Sequence, residues 1–261
     1  MAVREKNSAV RHNAKIYKYP SGICDIVCST GADFGESGWE IAEDYSRPGK
    51  VPAASERKTV DPKGEDLARS MRRARAKLRR LALANEFRWF VTLTIDPEKV
   101  DSHDGEAVVK KLNTWCSNMV QKNGLKYILV PERHKKGGIH FHGFFNDVVK
   151  AVESGHRDKK GHPIFNLPQW SLGFTTAIEL YDDYAGAVGY VCKYVGKQGE
   201  KPAGRWYYSG GGLAEPECCY VDLEWRDFVE NSGENVYIFD CPGKKIAIAN
   251  NVREQVQKEE F

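Results

Sequence analysis

The chain has 261 residues, of which 41% are hydrophobic, enough for one sizeable domain with appendages or for two smaller domains. Its formal net charge of +3 does not by itself indicate a nucleic-acid partner, because charge attracts a polyanion only where it is concentrated. The sequence lacks the run of about 18 apolar residues that a membrane-spanning helix needs, and we expect no membrane partner. The polar N-terminus has no signal-peptide core, and the seven cysteines are irregularly spaced, which favours reduced thiols in a cytoplasm.

The first quarter of the chain predicts a short hairpin followed by an irregular segment. Residues 16–19 and 23–28 are rich in strand-favouring side chains, and residues 20–22 between them read Pro-Ser-Gly, a turn sequence. Residues 29–64 are rich in Gly, Pro, Ser and charged side chains without periodicity, which is typical of a linker or arm. We therefore expect residues 1–64 to be an N-terminal arm with one hairpin.

A basic amphipathic helix is predicted from residue 65 onward. Its apolar stripe follows helical spacing and consists of Leu67, Met71, Ala74, Leu78 and Leu81. Its other faces carry seven cations without an interleaved acid, namely Arg69, Arg72, Arg73, Arg75, Lys77, Arg79 and Arg80. Such a face is often only solvated, but this density of positive charge favours contact with phosphates. The DNA-binding candidates on this helix are Arg72, Arg73, Arg79 and Arg80.

The remaining elements mix strands and helices and indicate an α+β fold. Between residues 90 and 198 the pattern predicts a half-buried strand at 90–96, a helix at 105–122, a hairpin at 126–145, a long loop at 146–172, a strand at 174–180 and a helix at 183–198. Short strands are predicted at 205–209, 219–223, 236–239 and 245–248, and a helix or tail at 253–261.

The hairpin at 126–145 carries a candidate metal site. His140 and His142 lie two apart on a strand and therefore share a face, whereas Phe141 between them points to the core. Folding the hairpin could bring Glu132 or His134 onto the same surface. Two imidazoles and a carboxylate with open positions suit a catalytic metal, although a lone His-x-His is also compatible with two surface histidines.

The helix at 183–198 gathers two phenols and two ammonium groups on one face. At about 100° per residue, Tyr190, Lys193, Tyr194 and Lys197 fall within one arc of the helix. A free tyrosine has a pKa of about 10, and adjacent lysines favour the phenolate needed for nucleophilic attack. The alternative is an amphipathic helix whose tyrosines pack by their rings. Together with the metal candidate and the basic helix, this face predicts phosphodiester cleavage through a covalent protein–DNA intermediate.

Three motifs in this order resemble the rolling-circle replication initiators, the HUH endonucleases of small single-stranded DNA phages and plasmids. The motifs are Phe-Val-Thr-Leu-Thr at 90–94, His-Phe-His at 140–142 and Tyr-Val-Cys-Lys-Tyr at 190–194. The last motif, with two tyrosines around a lysine, is similar to that of initiators from isometric phages. The resemblance covers residues 65–213 and implies a central antiparallel sheet with flanking helices. It places an endonuclease domain at 65–240 and a C-terminal tail at 241–261.

The resemblance also implies a role for each matching residue. Mg²⁺ or Mn²⁺ would be held by His140 and His142, with Glu132 as third ligand and His134 as a competing candidate. Tyr190 would attack the scissile phosphate and leave a 5′-phosphotyrosine and a free 3′-hydroxyl. Further roles fall to three residues: Lys193 would stabilise charge, Tyr194 would serve the second transfer, and Lys197 would contact DNA. The implied partners are single-stranded origin DNA, a host helicase and a single-stranded DNA-binding protein in the bacterial cytoplasm.

Two rival functions remain open at this point. A transposase or conjugative relaxase would use the same chemistry, but small transposases of this type usually offer one tyrosine. A non-catalytic nucleic-acid-binding domain would use the sheet as a platform and the arginine helix as a clamp. This second rival predicts no metal dependence and no covalent product.

Overall fold

A computed structural model of the chain describes residues 10–35, 62–135, 137–180, 183–232, 236–241 and 243–253. The chain divides into two compact units, the first made of Met1–Arg72 with Pro216–Phe261 and the second of Arg73–Glu215. Most of the predicted linker, at 36–61, and residues 254–261 of the predicted terminal helix or tail lie outside the described residues.

The described residues form helices and two antiparallel sheets, which confirms the α+β class. The helices are α1 (Pro62–Leu83), α2 (Gly105–Asn123), α3 (Tyr184–Tyr194) and α4 (Trp225–Asn231). The strands are β1 (Ala14–Lys18), β2 (Ile23–Ser29), β3 (Trp89–Thr94), β4 (Tyr127–Arg133), β5 (Ile139–Phe145), β6 (Val152–Arg157), β7 (Pro163–Asn166), β8 (Thr175–Glu179), β9 (Tyr208–Gly210), β10 (Glu217–Val221), β11 (Val236–Cys241) and β12 (Lys244–Arg253). Of the helices described, none has the length and apolar character required to cross a membrane.

The second unit is built on a seven-stranded sheet in the order β6-β7-β8-β3-β5-β4-β9. The predicted alternation in β3 is confirmed, since Val91 and Leu93 are fully buried whereas Thr94 is exposed. On this buried face the sheet packs against α2, whose inward side chains are Val108, Leu112, Trp115, Cys116 and Met119. Phe141 and Phe145 of β5 join the same core. Because side chains alternate along a strand, the residues between these buried ones on β3 and β5 project from the opposite face of the sheet.

The other face of this sheet is partly covered by α3, which is tied to α1. The Tyr184 ring of α3 lies 6.2 Å from the Phe144 ring of β5, measured between centroids. The Tyr184 hydroxyl donates to the backbone oxygens of Ala82 and Asn85, at 2.7 and 2.8 Å. Of the apolar stripe predicted for α1, Leu78 is fully buried but Leu67 remains 37% exposed. The packing of α1 is therefore concentrated in its C-terminal half.

Two predicted boundaries in this unit are wrong. The loop predicted at 146–172 contains the hairpin β6–β7, whose mostly exposed side chains give no apolar alternation to detect. The helix predicted to reach residue 198 ends at Tyr194 because Val195 is already extended, with φ −61° and ψ 110°. Gly196 follows at φ 70°, a conformation that glycine adopts without steric cost and that turns the chain away from the helix axis.

The first unit contains a five-stranded sheet in the order β10-β1-β2-β12-β11. The predicted N-terminal hairpin is confirmed as β1–β2, with Ala14 opposite Cys28. The strands predicted near 219–223, 236–239 and 245–248 are confirmed as β10, β11 and β12. Strand β2 of the predicted arm pairs with β12 of the predicted tail, and both strands contribute to a core with Phe228 of α4, a helix that the sequence does not predict.

One glycine in the centre of the larger sheet is required by close packing. Gly143 of β5 lies opposite Val91 on β3 and Leu129 on β4. A Cβ at this position would lie 1.8 Å from the carbonyl oxygen of Ile128 and 2.9 Å from the Cα of Leu129. These neighbours are backbone atoms of a paired strand, so they cannot move aside without breaking the ladder. Only glycine therefore fits beside His142.

We predict that Gly143→Ala lowers the free energy of unfolding of this unit by more than about 3 kcal/mol, because the added methyl group separates β4 from β5. Thermal and urea unfolding followed by circular dichroism would measure the loss. The matched control is Gly189→Ala in α3, where a Cβ meets no atom within 4 Å. That change should be neutral or stabilise by up to about 1 kcal/mol, since alanine favours the helix. Equal stability of the two variants would contradict the packing argument.

Candidate functional site

The register of β4 and β5 brings three potential metal ligands together on the open face of the sheet. Glu132 lies directly opposite His140, and His142 is two residues further along on the same face. The Glu132 Oε2 atom is 3.1 Å from His140 Nε2 and 3.0 Å from His142 Nε2. One ligand atom from each of the three residues lies within 4.8 Å of the others. The cluster could therefore hold one metal ion.

The protonation states of the cluster suit a cation. Burial lowers the pKa of His140 against the opposing effect of Glu132, and burial together with the neighbouring charge of His140 lowers the pKa of His142 to about 4. Burial raises the pKa of Glu132, but hydrogen bonds from Lys197 and His140 outweigh it and hold this pKa below its ordinary value. Near neutral pH the cluster therefore offers two neutral imidazoles and one carboxylate, the ionisation that metal ligands require.

Thr92 orients one of these ligands from the neighbouring strand. It lies opposite His142 in the register of β3 and β5, and its Oγ1 atom is 3.1 Å from His142 Nδ1. A partner at Nδ1 fixes the ring with Nε2 directed at Glu132, so that Nε2 is the atom available to a metal, the usual outer-shell arrangement of metal-binding histidines. The sequence places Thr92 on the polar face of its strand but gives it no role.

The alternative third ligand, His134, stands outside the cluster. Its ring centroid is 5.8 Å from that of His140, and its side chain is exposed. It lines a cleft of about 420 Å³ together with His140, Thr94, Ser102 and His103. The geometry therefore favours Glu132 over His134 as the third ligand.

Both tyrosines of α3 lie beside this cluster. The Tyr194 ring stacks on the His142 ring with centroids 4.0 Å apart and an interplanar angle of 17°. Its hydroxyl donates to the Tyr190 hydroxyl at 2.6 Å. Burial and this hydrogen bond raise the pKa of Tyr194. The Tyr190 side chain packs edge-on against Phe90 and is 49% exposed. The two phenols are therefore in direct contact, with Tyr190 the more accessible.

The two lysines of this segment occupy different positions from those expected on a single helix. Lys197 follows the end of α3, and its Nζ donates to Glu132 Oε1 at 2.6 Å while lying 5.1 Å from the Tyr194 ring centroid. Lys193 is exposed in the last turn of α3. The structure thus brings Lys197 to the cluster. A sequence signal exists, since Tyr-Val-x-Lys occurs twice in tandem at 190–193 and 194–197.

Part of the basic helix serves the structure of the site. The Arg75 guanidinium donates twice to the Val195 carbonyl oxygen, at 2.9 and 2.7 Å, and so holds the C-terminal end of α3. Lys77 pairs with Glu215 at 2.5 Å. Of the four DNA-binding candidates, Arg73 is exposed and the others, Arg72, Arg79 and Arg80, are half-buried. On the basic helix, Arg75 and Lys77 therefore make contacts within the protein, whereas Arg73 faces solvent.

Comparison with known proteins identifies this segment. Residues 88–199 match the family described as Replication-associated protein ORF2. The match spans β3, the β4–β5 hairpin and α3, and it confirms the resemblance to rolling-circle replication initiators. No curated protein and no solved structure matches the chain.

We predict that Glu132→Ala, His140→Ala and His142→Ala each abolish Mn²⁺ binding measured by isothermal titration calorimetry of the metal-free protein. His134→Ala is the matched control and should bind normally, because that ring lies outside the cluster. Thr92→Val should weaken binding by about 10- to 100-fold, as outer-shell substitutions typically do. If His134→Ala loses Mn²⁺ binding while Glu132→Ala retains it, His134 rather than Glu132 is the third ligand.

Proposed function

We propose that this chain, which carries an ORF2-type replication-associated segment at residues 88–199, initiates rolling-circle replication by nicking and rejoining single-stranded origin DNA. One observation carries the proposal beyond the family. The Tyr194 ring stacks on His142 of a cluster of two imidazoles and a carboxylate, and the Tyr194 hydroxyl donates a hydrogen bond to the Tyr190 hydroxyl. A nucleophile beside a metal cluster is what transfer of a phosphodiester to protein requires.

The cation we propose for the cluster is Mg²⁺ or Mn²⁺, held by Glu132, His140 and His142. When bound, it would polarise a non-bridging oxygen of the scissile phosphate. The donor set itself fits several divalent metals, since imidazole and carboxylate ligands are shared among them. The choice of Mg²⁺ or Mn²⁺ therefore rests on the family relationship. Thr92 would keep the His142 ring in the ligating orientation.

Tyr190 is the better candidate for the first cut. It is half exposed and so open to DNA, and its oxygen accepts the hydrogen bond that Tyr194 donates, which stabilises negative charge on the attacking atom. The Tyr190 oxygen would form a bond to phosphorus while the bond to the 3′-oxygen breaks. The phenol gives up its proton in this step and the departing 3′-oxygen takes up one, so no proton is gained or lost overall. The downstream strand remains on Tyr190 as a 5′-phosphotyrosine.

The remaining residues follow from this step. Tyr194, one helical turn away, would carry out the second transfer while Tyr190 still holds the first strand. Lys193, exposed at the end of α3, and Lys197, at the cluster, would stabilise the charge of the phosphates. From the family relationship we propose the cytoplasm of a bacterial host as the location, with a host helicase and a single-stranded DNA-binding protein as partners.

A polarity test separates this chemistry from simple binding or hydrolysis. A randomised pool of single-stranded DNA, labelled at either end, is incubated with the protein and Mn²⁺ and resolved by denaturing electrophoresis. We expect a protein band that retains the 3′ label and loses the 5′ label, because the phosphotyrosine holds the downstream strand. Tyr190→Phe should reduce this band by at least about 100-fold, and Tyr194→Phe should retain it but rejoin fewer strands.

The controls for this test use the metal ligands and peptide mapping. His140→Ala or His142→Ala should lose the adduct while retaining DNA binding, since affinity comes mainly from phosphate contacts. Mapping of the trapped peptide should find the DNA on Tyr190. An adduct outside α3 would overturn the mechanism, and the absence of any adduct in the wild-type protein would favour the non-catalytic binding domain.

The basic helix should contribute to affinity in a salt-dependent way. We predict that neutralising Arg72, Arg73, Arg79 and Arg80 together flattens the slope of log affinity against log salt by up to about 3, since each lost phosphate contact on single-stranded DNA removes about 0.7. Arg75 and Lys77 are left unchanged so that their contacts with Val195 and Glu215 stay intact. The measurement is fluorescence anisotropy with a labelled oligonucleotide over a range of salt concentrations.

The control variant neutralises Lys110, Lys111 and Lys122 on α2. These side chains are exposed on the helix that packs against the buried face of the sheet, opposite the candidate site. Their removal changes the net charge by a similar amount but should leave the slope unchanged. If both sets flatten the slope equally per charge, α1 has no specific part in binding.

A further inference from the structure

A row of side chains crosses the open face of the seven-stranded sheet and continues past the metal cluster. Glu132 on β4 lies opposite His140 on β5, which lies opposite Thr94 on β3. The row ends at Phe174, just before β8. The backbone N–H of Thr94 donates to the Phe174 carbonyl at 2.8 Å, and the N–H of Phe174 donates to the Thr94 carbonyl at 3.1 Å. Directly opposite residues of an antiparallel pair project from the same face, so the Phe174 ring shares the face of the cluster.

Phe174 is the exposed end of this row. Its side chain is 71% exposed although both of its backbone groups are paired to β3, so the ring is held in place at an open position. The next residue on the same face, Thr176, is also exposed, and it pairs with Thr92. A large aromatic ring on a fixed backbone and a polar neighbour is an arrangement suited to a flat ligand rather than to the protein core.

Helix α3 covers the same sheet face elsewhere and leaves this end open. Phe90 lies two residues before Thr92 on β3, and its ring contacts the Tyr190 ring with centroids 5.9 Å apart. Tyr194 in turn covers His142. The exposed strip formed by Thr94, Thr176 and Phe174 thus begins next to the part of the sheet that α3 covers. It leads directly away from the metal ligands.

The spacing fits a strand of nucleic acid that passes over the cluster. Adjacent strands of a sheet lie about 4.8 Å apart, so two steps separate the backbones of His140 and Phe174 by about 10 Å. Adjoining nucleotides of a single strand bridge such a distance. The 420 Å³ cleft that borders Thr94 and His140 adds space beside the same path.

We propose that Phe174 is a stacking platform for a base of single-stranded DNA adjoining the phosphate held at the cluster. This inference rests on the proposed function for the identity of the phosphate. Every base presents a π-face, so an aromatic platform holds a strand with little dependence on sequence. It would fix the path of the strand on one side of the reacting phosphate, while α3 brings the tyrosines from the other. A protein partner over Phe174 is the competing occupant, and the experiment below tests it.

The test measures binding without cleavage. A labelled twelve-nucleotide oligothymidylate is titrated by fluorescence anisotropy in the presence of a chelator. Phe174→Ala should raise the Kd by about 5- to 150-fold, which corresponds to the ~1–3 kcal/mol of stacking one base. Phe174→Tyr and Phe174→Trp should restore affinity because they keep the ring. The control Tyr237→Ala removes another exposed aromatic side chain, from β11 of the other unit, and should bind normally.

A second measurement locates the base directly. The same oligonucleotide with 5-iodouracil at each position is irradiated on the protein, and the crosslinked peptide is mapped by mass spectrometry. We expect the crosslink at Phe174 in the wild-type protein and its loss in Phe174→Ala. Unchanged affinity of Phe174→Ala, or crosslinks only elsewhere, would overturn the platform and leave a protein partner as the occupant.

The outcomes keep this inference apart from the proposed function. If the wild-type protein binds oligothymidylate through Phe174 but forms no covalent adduct with Mn²⁺, the nicking activity fails and the platform stands. If the adduct forms normally and Phe174→Ala binds like the wild-type protein, the nicking activity stands and the platform fails.

Discussion

The site depends on the register of three strands. Because side chains alternate along a strand, a slip of one residue between β4 and β5 would turn Glu132 to the core and leave the histidines without a carboxylate. Two features hold this register. Phe141 and Phe145 are fully buried on the opposite face, and Gly143 lets the backbone of β4 approach where a side chain could not fit. The apolar core on one face of the sheet therefore sets the positions of Glu132, His140 and His142 on the other face.

Charge balance explains how the cluster can exist without a large energetic penalty. A buried carboxylate beside two neutral imidazoles would be costly unless a cation satisfied it. Lys197 provides that cation at 2.6 Å, and 57% of its side chain remains exposed, so the ammonium can leave the carboxylate without crossing packed protein. Under the proposed function, a divalent ion would take over the carboxylate and free the ammonium for the phosphate. The same lysine then serves stability in one state and substrate charge in the other.

The sequence predicts those parts of the structure that depend on local periodicity. The two histidines on one strand face, the helix α2 with its inward residues and the hairpin β1–β2 all follow from spacing within a few residues. Non-local pairing is beyond such patterns, so the joining of β2 with β12 in one sheet could not be predicted. The position of Lys197 was missed because Gly196 ends the helical geometry one turn early. The sequence places Arg75 among the cations of the basic helix, and only tertiary structure shows that its guanidinium binds the carbonyl oxygen at the end of α3.

The hydrogen bond between the two phenols gives them different roles, one as donor and one as acceptor, while keeping them in contact. Only one hydroxyl can donate in the 2.6 Å hydrogen bond, so at any moment one oxygen is the acceptor and, under the proposed function, would be the better nucleophile. Exchange of these roles needs a rotation of hydroxyl hydrogens rather than movement of the helix. Arg75 at one end of α3 and Tyr184 at the other hold the helix over β5, with the Tyr194 ring stacked on His142. Under the proposed function, two phenols on a fixed helix would therefore suit two successive transfers at one phosphate site by one protein chain.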